Sequence, residues 1–204
     1  MHNPAKNEHP LHHLIQNRWS PRAFSGKPLS KEVLRSLFEA ARWAPSSSNE
    51  QPWAFIVATK EEPEDFEKIL GTLVEFNQSW AKHAPLIGIA ISEMEFARNQ
   101  RPNRNAFYDT GAAMAYLTME ATARELFVHQ MGGFDPQKAV EALHIPKGWE
   151  PIAAFVAGYA GDHTSLSDAL RERELAPRSR KPLSEIVMSG KWGQPAHFLT
   201  KLAD

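Results

Sequence analysis

The chain has 204 residues, enough for one compact domain whose core needs no disulfide or metal staple. It contains no cysteine, which removes thiol nucleophiles, disulfides and thiolate metal sites together and fits a reducing compartment. A formal net charge of −1, with acids and bases interspersed, gives nothing that would steer the chain to nucleic acid.

The polar start MHNPAKNEHP has no apolar stretch of signal-peptide type. The longest apolar segments, Leu86–Ile91 and Ile152–Ala160, are shorter than the roughly 20 residues a membrane span takes. The expectation is a soluble, cytoplasmic protein. Pro10–Asn17 reads as a short first helix. Ser30 caps a second, with Val33, Leu34, Leu37, Phe38 and Ala41 on one apolar face, ending before Pro45. Trp53–Ala58 (WAFIVA) reads as a strand, and Pro63–Thr72 as a helix with proline where its missing N–H does no harm.

Leu86–Ser92 (LIGIAIS) is the second strand. Arg104–Glu125 gives the longest helix. Its apolar and small residues wrap most of its circumference, which predicts a central, buried position. Leu126–Gln130 reads as a strand, and Asp135-Pro136 opens a helix to about Leu143. Ile152–Tyr159 is another buried strand and Ser165–Leu175 a polar helix. The tail from Ala176 to Asp204 is proline-rich and aperiodic. Ile186, Val187, Trp192, Phe198 and Leu199 make it too apolar for simple disorder, so it should pack on something. No repeat or linker divides residues 1–204, and strands separated by helices imply one α/β or α+β domain.

The chain lacks G-x-G-x-x-G, a phosphate loop, H-E-x-x-H and G-x-S-x-G. Of its nine histidines, His2, His9, His12 and His13 crowd the first 13 residues and read as solvated. His83, His129, His144, His163 and His197 are scattered singly, so no metal site is expected.

Three segments carry polar groups that a simple fold does not require. Arg18-Trp19-Ser20-Pro21-Arg22 sets two arginines around a hydroxyl on a proline-stiffened turn. Guanidinium forks and a hydroxyl suit a phosphate, although arginines also complement a helix C-terminus. Ala44–Trp53 (APSSSNEQPW) is a loop bracketed by prolines, able to present hydroxyls and amides to a heteroaromatic edge; an ordinary Ser/Asn/Pro loop is the plainer reading. Arg178-Ser179-Arg180-Lys181-Pro182-Leu183 is a basic cluster that alone reads as a solvated face. Paired with Arg18 it can close on a phosphate monoester, which carries about two charges near neutral pH.

R-W-S-P-R-A-F, A-P-S-S-S-N-E-Q-P-W, G-G-F-D-P at Gly132–Pro136 and R-S-R-K-P-L, in this order and spacing, resemble the nitroreductase family over residues 12 to 190. The resemblance implies an α+β fold, with a mixed central sheet flanked by helices. It also implies an intertwined homodimer, its tail from about 184 to 204 packed on the partner and one FMN at each of two interface sites. Residue by residue, it assigns Arg18, Ser20, Arg180 and Arg178 to the phosphate and Trp19 to a mainly backbone contribution. Arg22 goes to the pyrimidine side of the flavin. Pro45, Ser46, Ser47 and Asn49 reach the flavin from the other subunit, and Asn77 meets the ring edge. Gly132 and Gly133 lie along the ring, one offering an N–H near N5. Arg22 and Gly133 are the candidates for catalysis.

The same resemblance implies hydride transfer from NADH or NADPH to flavin N5 and then, ping-pong, to a small electron-poor acceptor such as a nitroaromatic or a quinone. Alternatives on the same fold are reductive dehalogenation or flavin fragmentation, and a non-catalytic flavin sensor or storage protein. The chain departs from the family at Trp19, often a basic residue there, and at Gly132, where a side chain sometimes covers the flavin. Residues Glu93–Asn103, near the expected substrate mouth, match no known pattern.

Overall fold

The computed structural model describes residues 3–199; His2 and residues 200–204 of the expected tail lie outside them. Four strands form the sheet: β1 Trp53–Thr59, β2 Leu86–Glu93, β3 Phe127–Met131 and β4 Trp149–Gly158. Their order is β1-β2-β4-β3, and all three neighbouring pairs are antiparallel. The α+β class is therefore as expected, but no strand pair within the described chain is parallel, so the sheet of one chain is not mixed.

Alternation along the strands divides the core in two. Ile87 and Ile89 of β2 and Val156 of β4 face one layer, with Phe66 of α3 (Pro63–Leu70), Trp80 of α4 (Glu75–Ala81), Ala139 of α6 (Pro136–Ala142) and Leu170 of α7 (Asp168–Leu175). Leu86, Ala90 and Phe155 face the other, with Leu37 of α2 (Lys31–Arg42) and Met114 and Leu117 of α5 (Ala106–Ala123). Coverage on both faces explains why β2 reads as an unbroken apolar run. Gly88 lets the second layer close. A Cβ there would lie 2.6 Å from Phe155 Cζ and 2.7 Å from Val57 Cγ1, so a side chain would displace the aromatic ring.

The expected caps form. Ser30 Oγ accepts the Val33 N–H at 3.2 Å, and Asp135 Oδ1 accepts those of Gln137 and Lys138 at 3.0 and 3.1 Å. The first helix, α1, is only His13–Asn17, because His12 rather than Pro10 caps it. β4 begins at Trp149, three residues before the expected start. The polar helix α7 begins at Asp168, after a 3₁₀ turn at His163–Ser165 and an extended Leu166. Sequence reading gave no element over α4. That helix has seven residues and no side-chain cap bond, and the burial of Trp80 holds it in place.

Helix α5 differs from expectation in a more telling way. Ala106, Asp109, Ala113, Met114, Leu117 and Ala121 are buried, but Phe107, Tyr108 and Tyr116 are 48%, 82% and 46% exposed. The sheet and α2 pack on this helix, and no third layer among the described residues covers these aromatics. The tail behaves likewise: after α8 (Leu183–Ile186), Trp192 and Phe198 remain 91% and 71% exposed. No helix among the described residues is long and apolar enough to cross a membrane.

Candidate functional site

Leaving α1, the chain turns through residues 18–23 without regular structure before Phe24 bridges to Ala160. The stretch after α7 returns Arg178 and Arg180 to the same place. Together with Arg18, Ser20 and Arg22 they line a cavity of about 230 Å³. Arg18 Nη1 donates to Ser20 Oγ at 3.2 Å, Arg178 Nη1 to the Asn3 carbonyl at 2.7 Å, and Arg180 Nη1 to that of Ser179 at 2.7 Å.

Burial first, and then the charges of Arg178 and Arg180, push the Arg18 pKa down; burial and Arg180 do the same to Arg178. None of these three has a carboxylate within ion-pair distance among the described residues. Three guanidiniums crowded at one cavity present several N–H donors that could bind an anion. Trp19 contributes differently. Its ring is 4% exposed and meets Phe127 edge-on at 5.8 Å, so the side chain belongs to the protein interior.

Two side chains that the sequence left unmarked hold this turn. Glu174, 2% exposed, accepts the Arg22 N–H on both oxygens at 3.0 and 2.9 Å and the Ala23 N–H at 3.1 Å. The Arg22 guanidinium lies 3.9 Å from Glu174 Oε2, and Arg22 Nε is buried with no partner among the described residues. Burial lowers the Arg22 pKa, opposed by Glu174. His129 Nδ1 lies 2.8 Å from the Pro21 carbonyl, which only accepts, so this nitrogen carries the proton. Burial, helped by the charges of Arg22 and Arg18 and opposed by the hydrogen bonds, pushes the ring's pKa down to about 4. His129 is therefore neutral at pH 7. No spacing rule links Glu174 or His129 to residues more than a hundred positions away.

Gly132 and Gly133 follow the end of β3. Asn77 Nδ2 and the Val74 N–H both donate to the Gly133 carbonyl, at 2.9 and 3.1 Å. A Cβ on Gly133 would lie 2.5 Å from Asn77 Nδ2 and 3.1 Å from Val74 Cγ2, whereas one on Gly132 would meet nothing within 4 Å. The close approach explains the first glycine; the second is open to solvent.

Pro45, Ser46, Ser47 and Asn49 lie between α2 and β1 and do not line the basic cavity of their own chain. Their loop is held from beneath. The Ser47 N–H donates to Asp109 Oδ2 at 3.0 Å, and the Gln51 N–H to Ser46 Oγ at 3.0 Å. Ser48, Asn49 and Gln51 have φ of 55°, 56° and 53°, left-handed values that non-glycine residues adopt at a cost and that gather at functional sites. Residues 93–103 form a closed turn with a Glu95–Pro102 bridge, tethered by the Ala97 N–H to Glu50 Oε2 at 3.3 Å. Among the described residues no group of three or more His, Asp or Glu is placed to hold a metal ion.

The family model of the nitroreductase family matches residues 15–159, which take in the turn at 18–22, the loop at 45–53, Asn77 and Gly132–Gly133. A crystal structure of an oxidoreductase containing FMN superposes with a TM-score of 0.87 at 38% identity, covering 93% of this chain and 96% of that one. An uncharacterized 15.4 kDa protein of Mycolicibacterium smegmatis is 36% identical over 132 residues, 65% of this chain and 87% of that protein. The NAD(P)H FMN reductase of Bacillus subtilis is 25% identical over 174 residues, 76% of this chain and 68% of its own length. The motifs, the superposition and the matched residues agree, and the chain belongs to the nitroreductase family.

Proposed function

We propose that this protein is an FMN-dependent oxidoreductase that takes hydride from NADH or NADPH and passes two electrons to a small electron-poor acceptor, a nitroaromatic, quinone or similar molecule, by a ping-pong mechanism. The observation that carries this reading is the cluster of Arg18, Arg178 and Arg180, half-buried or exposed guanidiniums crowded at one small cavity with no carboxylate in ion-pair distance among the described residues. A phosphate monoester, with about −1.5 to −2 charge near pH 7, supplies the missing counter-charge. The FMN named for the similar crystal structure and the Bacillus subtilis reductase carries such a group.

Bound there, the flavin supplies a two-electron centre that accepts hydride from the nicotinamide and gives electrons to the acceptor. The chain's own part is binding and electrostatics. Arg18, Ser20, Arg178 and Arg180 hold the phosphate. Arg22, whose Nε has no partner among the described residues, places a fixed positive charge where negative charge develops on the pyrimidine side during reduction. Asn77 and Val74 hold the Gly133 carbonyl, and the Phe134 N–H donates to the Gly132 carbonyl, which shares its peptide plane with the Gly133 N–H and so fixes the direction of that N–H.

The second half of the site comes from a second copy of the chain. The Ser47 N–H is engaged by Asp109, which sets the loop while leaving the Ser47 hydroxyl and the exposed Asn49 to meet a partner. The uncovered face of α5, with Tyr108 82% exposed, and the apolar tail support a homodimer that buries both.

Purified protein should be yellow, with flavin absorbance that bleaches when NADH or NADPH is mixed in anaerobically and returns on adding a quinone. A protein that takes up no FMN contradicts the cofactor. A bound flavin that stays oxidised with either nicotinamide makes this a sensor or store instead.

A further inference from the structure

Helix α7, DALREREL, reads as a solvated surface helix, and most of it is. Besides the core residue Leu170, Glu174 is its one buried residue: it is 2% exposed, while Glu172, Arg173 and Leu175 around it are exposed. Burying a carboxylate costs several kcal/mol unless hydrogen bonds and charge offset the loss of water. Here three N–H bonds from Arg22 and Ala23, with the Arg22 guanidinium at 3.9 Å, provide that offset. The bonds reach across 152 residues of sequence to a turn that has no helix or strand of its own to fix it.

We infer that Glu174 is the positioning residue of the phosphate half of the site, a role that rests on the flavin reading above. Arg18 and Ser20 lie just upstream of its anchor point and Arg22 is part of it, so the carboxylate sets where all three meet the cavity. The residue type matters. A carboxylate offers acceptors to all three N–H bonds and presents no donor, whereas an amide would turn an NH₂ group against a backbone N–H. Its single charge leaves the cavity positive, because Arg18, Arg22, Arg178 and Arg180 line the same space. The preceding residue extends the same device: the Arg173 guanidinium lies 5.0 Å over the Phe76 ring, joining α7 to α4, which carries Asn77. One short helix thus ties the anion cavity to the elements at Gly133.

The test is the preference for FMN over riboflavin, measured by fluorescence titration of flavin-free protein. In Glu174→Gln the FMN affinity should fall by about tenfold or more, the worth of one charge-assisted hydrogen bond. Riboflavin, which would meet Arg22 but lacks the phosphate that Arg18 and Ser20 hold, should lose less, so the preference shrinks. Glu174→Asp keeps the charge but is too short to bridge both residues. It should lose part of the preference and serves as the readout if the glutamine variant does not fold. A merely structural role lowers thermal stability and both affinities alike, leaving the preference intact; that result overturns the assignment of Glu174. A wild-type protein that shows no preference for FMN overturns instead the reading on which it rests.

Discussion

Around the basic cavity the shape-setting backbone groups of the turn are held by the chain itself: Glu174 fixes the N–H groups of Arg22 and Ala23, and His129 meets the Pro21 carbonyl. The loop at 45–51 is anchored from below, through Asp109, but carries three left-handed residues and exposes Pro45 and Asn49. It sits in the same layer of the molecule as the uncovered aromatics of α5. The contrast teaches that one half of the site is finished within a chain, by contacts between residues far apart in sequence. The other half is a loop that the chain anchors from below and leaves exposed, the part that the proposed homodimer would complete.

The largest effect should come from breaking the finished half. Removing Arg18 and Arg180 together should weaken FMN binding by on the order of a hundredfold or more, since charge-assisted hydrogen bonds contribute about 1.5–3 kcal/mol each. Riboflavin, which lacks the phosphate, should bind the variant and the wild type alike. Equal losses for both ligands would remove the phosphate from the cavity.

His129 sharpens the same half through pH. The unfolded ring takes up a proton near pH 6.5, but the folded ring resists until about 4. Between those values the unfolded state binds more protons, so this contribution is present above pH 6.5 and lost as pH falls toward 4. The loss is at most roughly 3 kcal/mol. Denaturant midpoints should therefore drop more steeply between pH 6.5 and 4 in the wild type than in His129→Gln. Parallel slopes would mean the ring is not held neutral.

A smaller effect separates the two glycines. Gly133→Ala forces a methyl into Asn77 and Val74 and should cost about 1–3 kcal/mol, seen as a thermal midpoint several degrees lower. Gly132→Ala meets nothing and should stay within about 0.5 kcal/mol of the wild type. Equal shifts would remove the close approach as the reason for the first glycine.

Much of this was legible in the sequence where local chemistry settles the matter. Apolar runs mark β2 and β4, Ser30 and Asp135-Pro136 mark helix starts, and the clustered arginines mark residues that meet at one basic cavity. What was not legible depends on what lies across from a residue. Phe107 and Tyr116 look like core in a one-dimensional pattern, because a face that packs on a sheet and a face left for another surface have the same composition. Glu174 looks like one more charge in a polar helix, since nothing near it announces the turn at Arg22. Helix α4 is too short and too polar to show a period, although it carries Asn77.

The shared site is tested most directly by mixing two defective chains. One carries Arg18→Ala with Arg180→Ala, the other Ser47→Leu with Asn49→Leu, each tagged differently and each expected to have little activity alone. Co-refolded in equal amounts, roughly half the dimers should be mixed by random pairing. Each mixed dimer holds one site with both sets of damage and one with none, so roughly a quarter of the wild-type FMN-dependent activity should return. Mixed dimers recovered through both tags, with activity no higher than that of the parents, would contradict a site built from two chains.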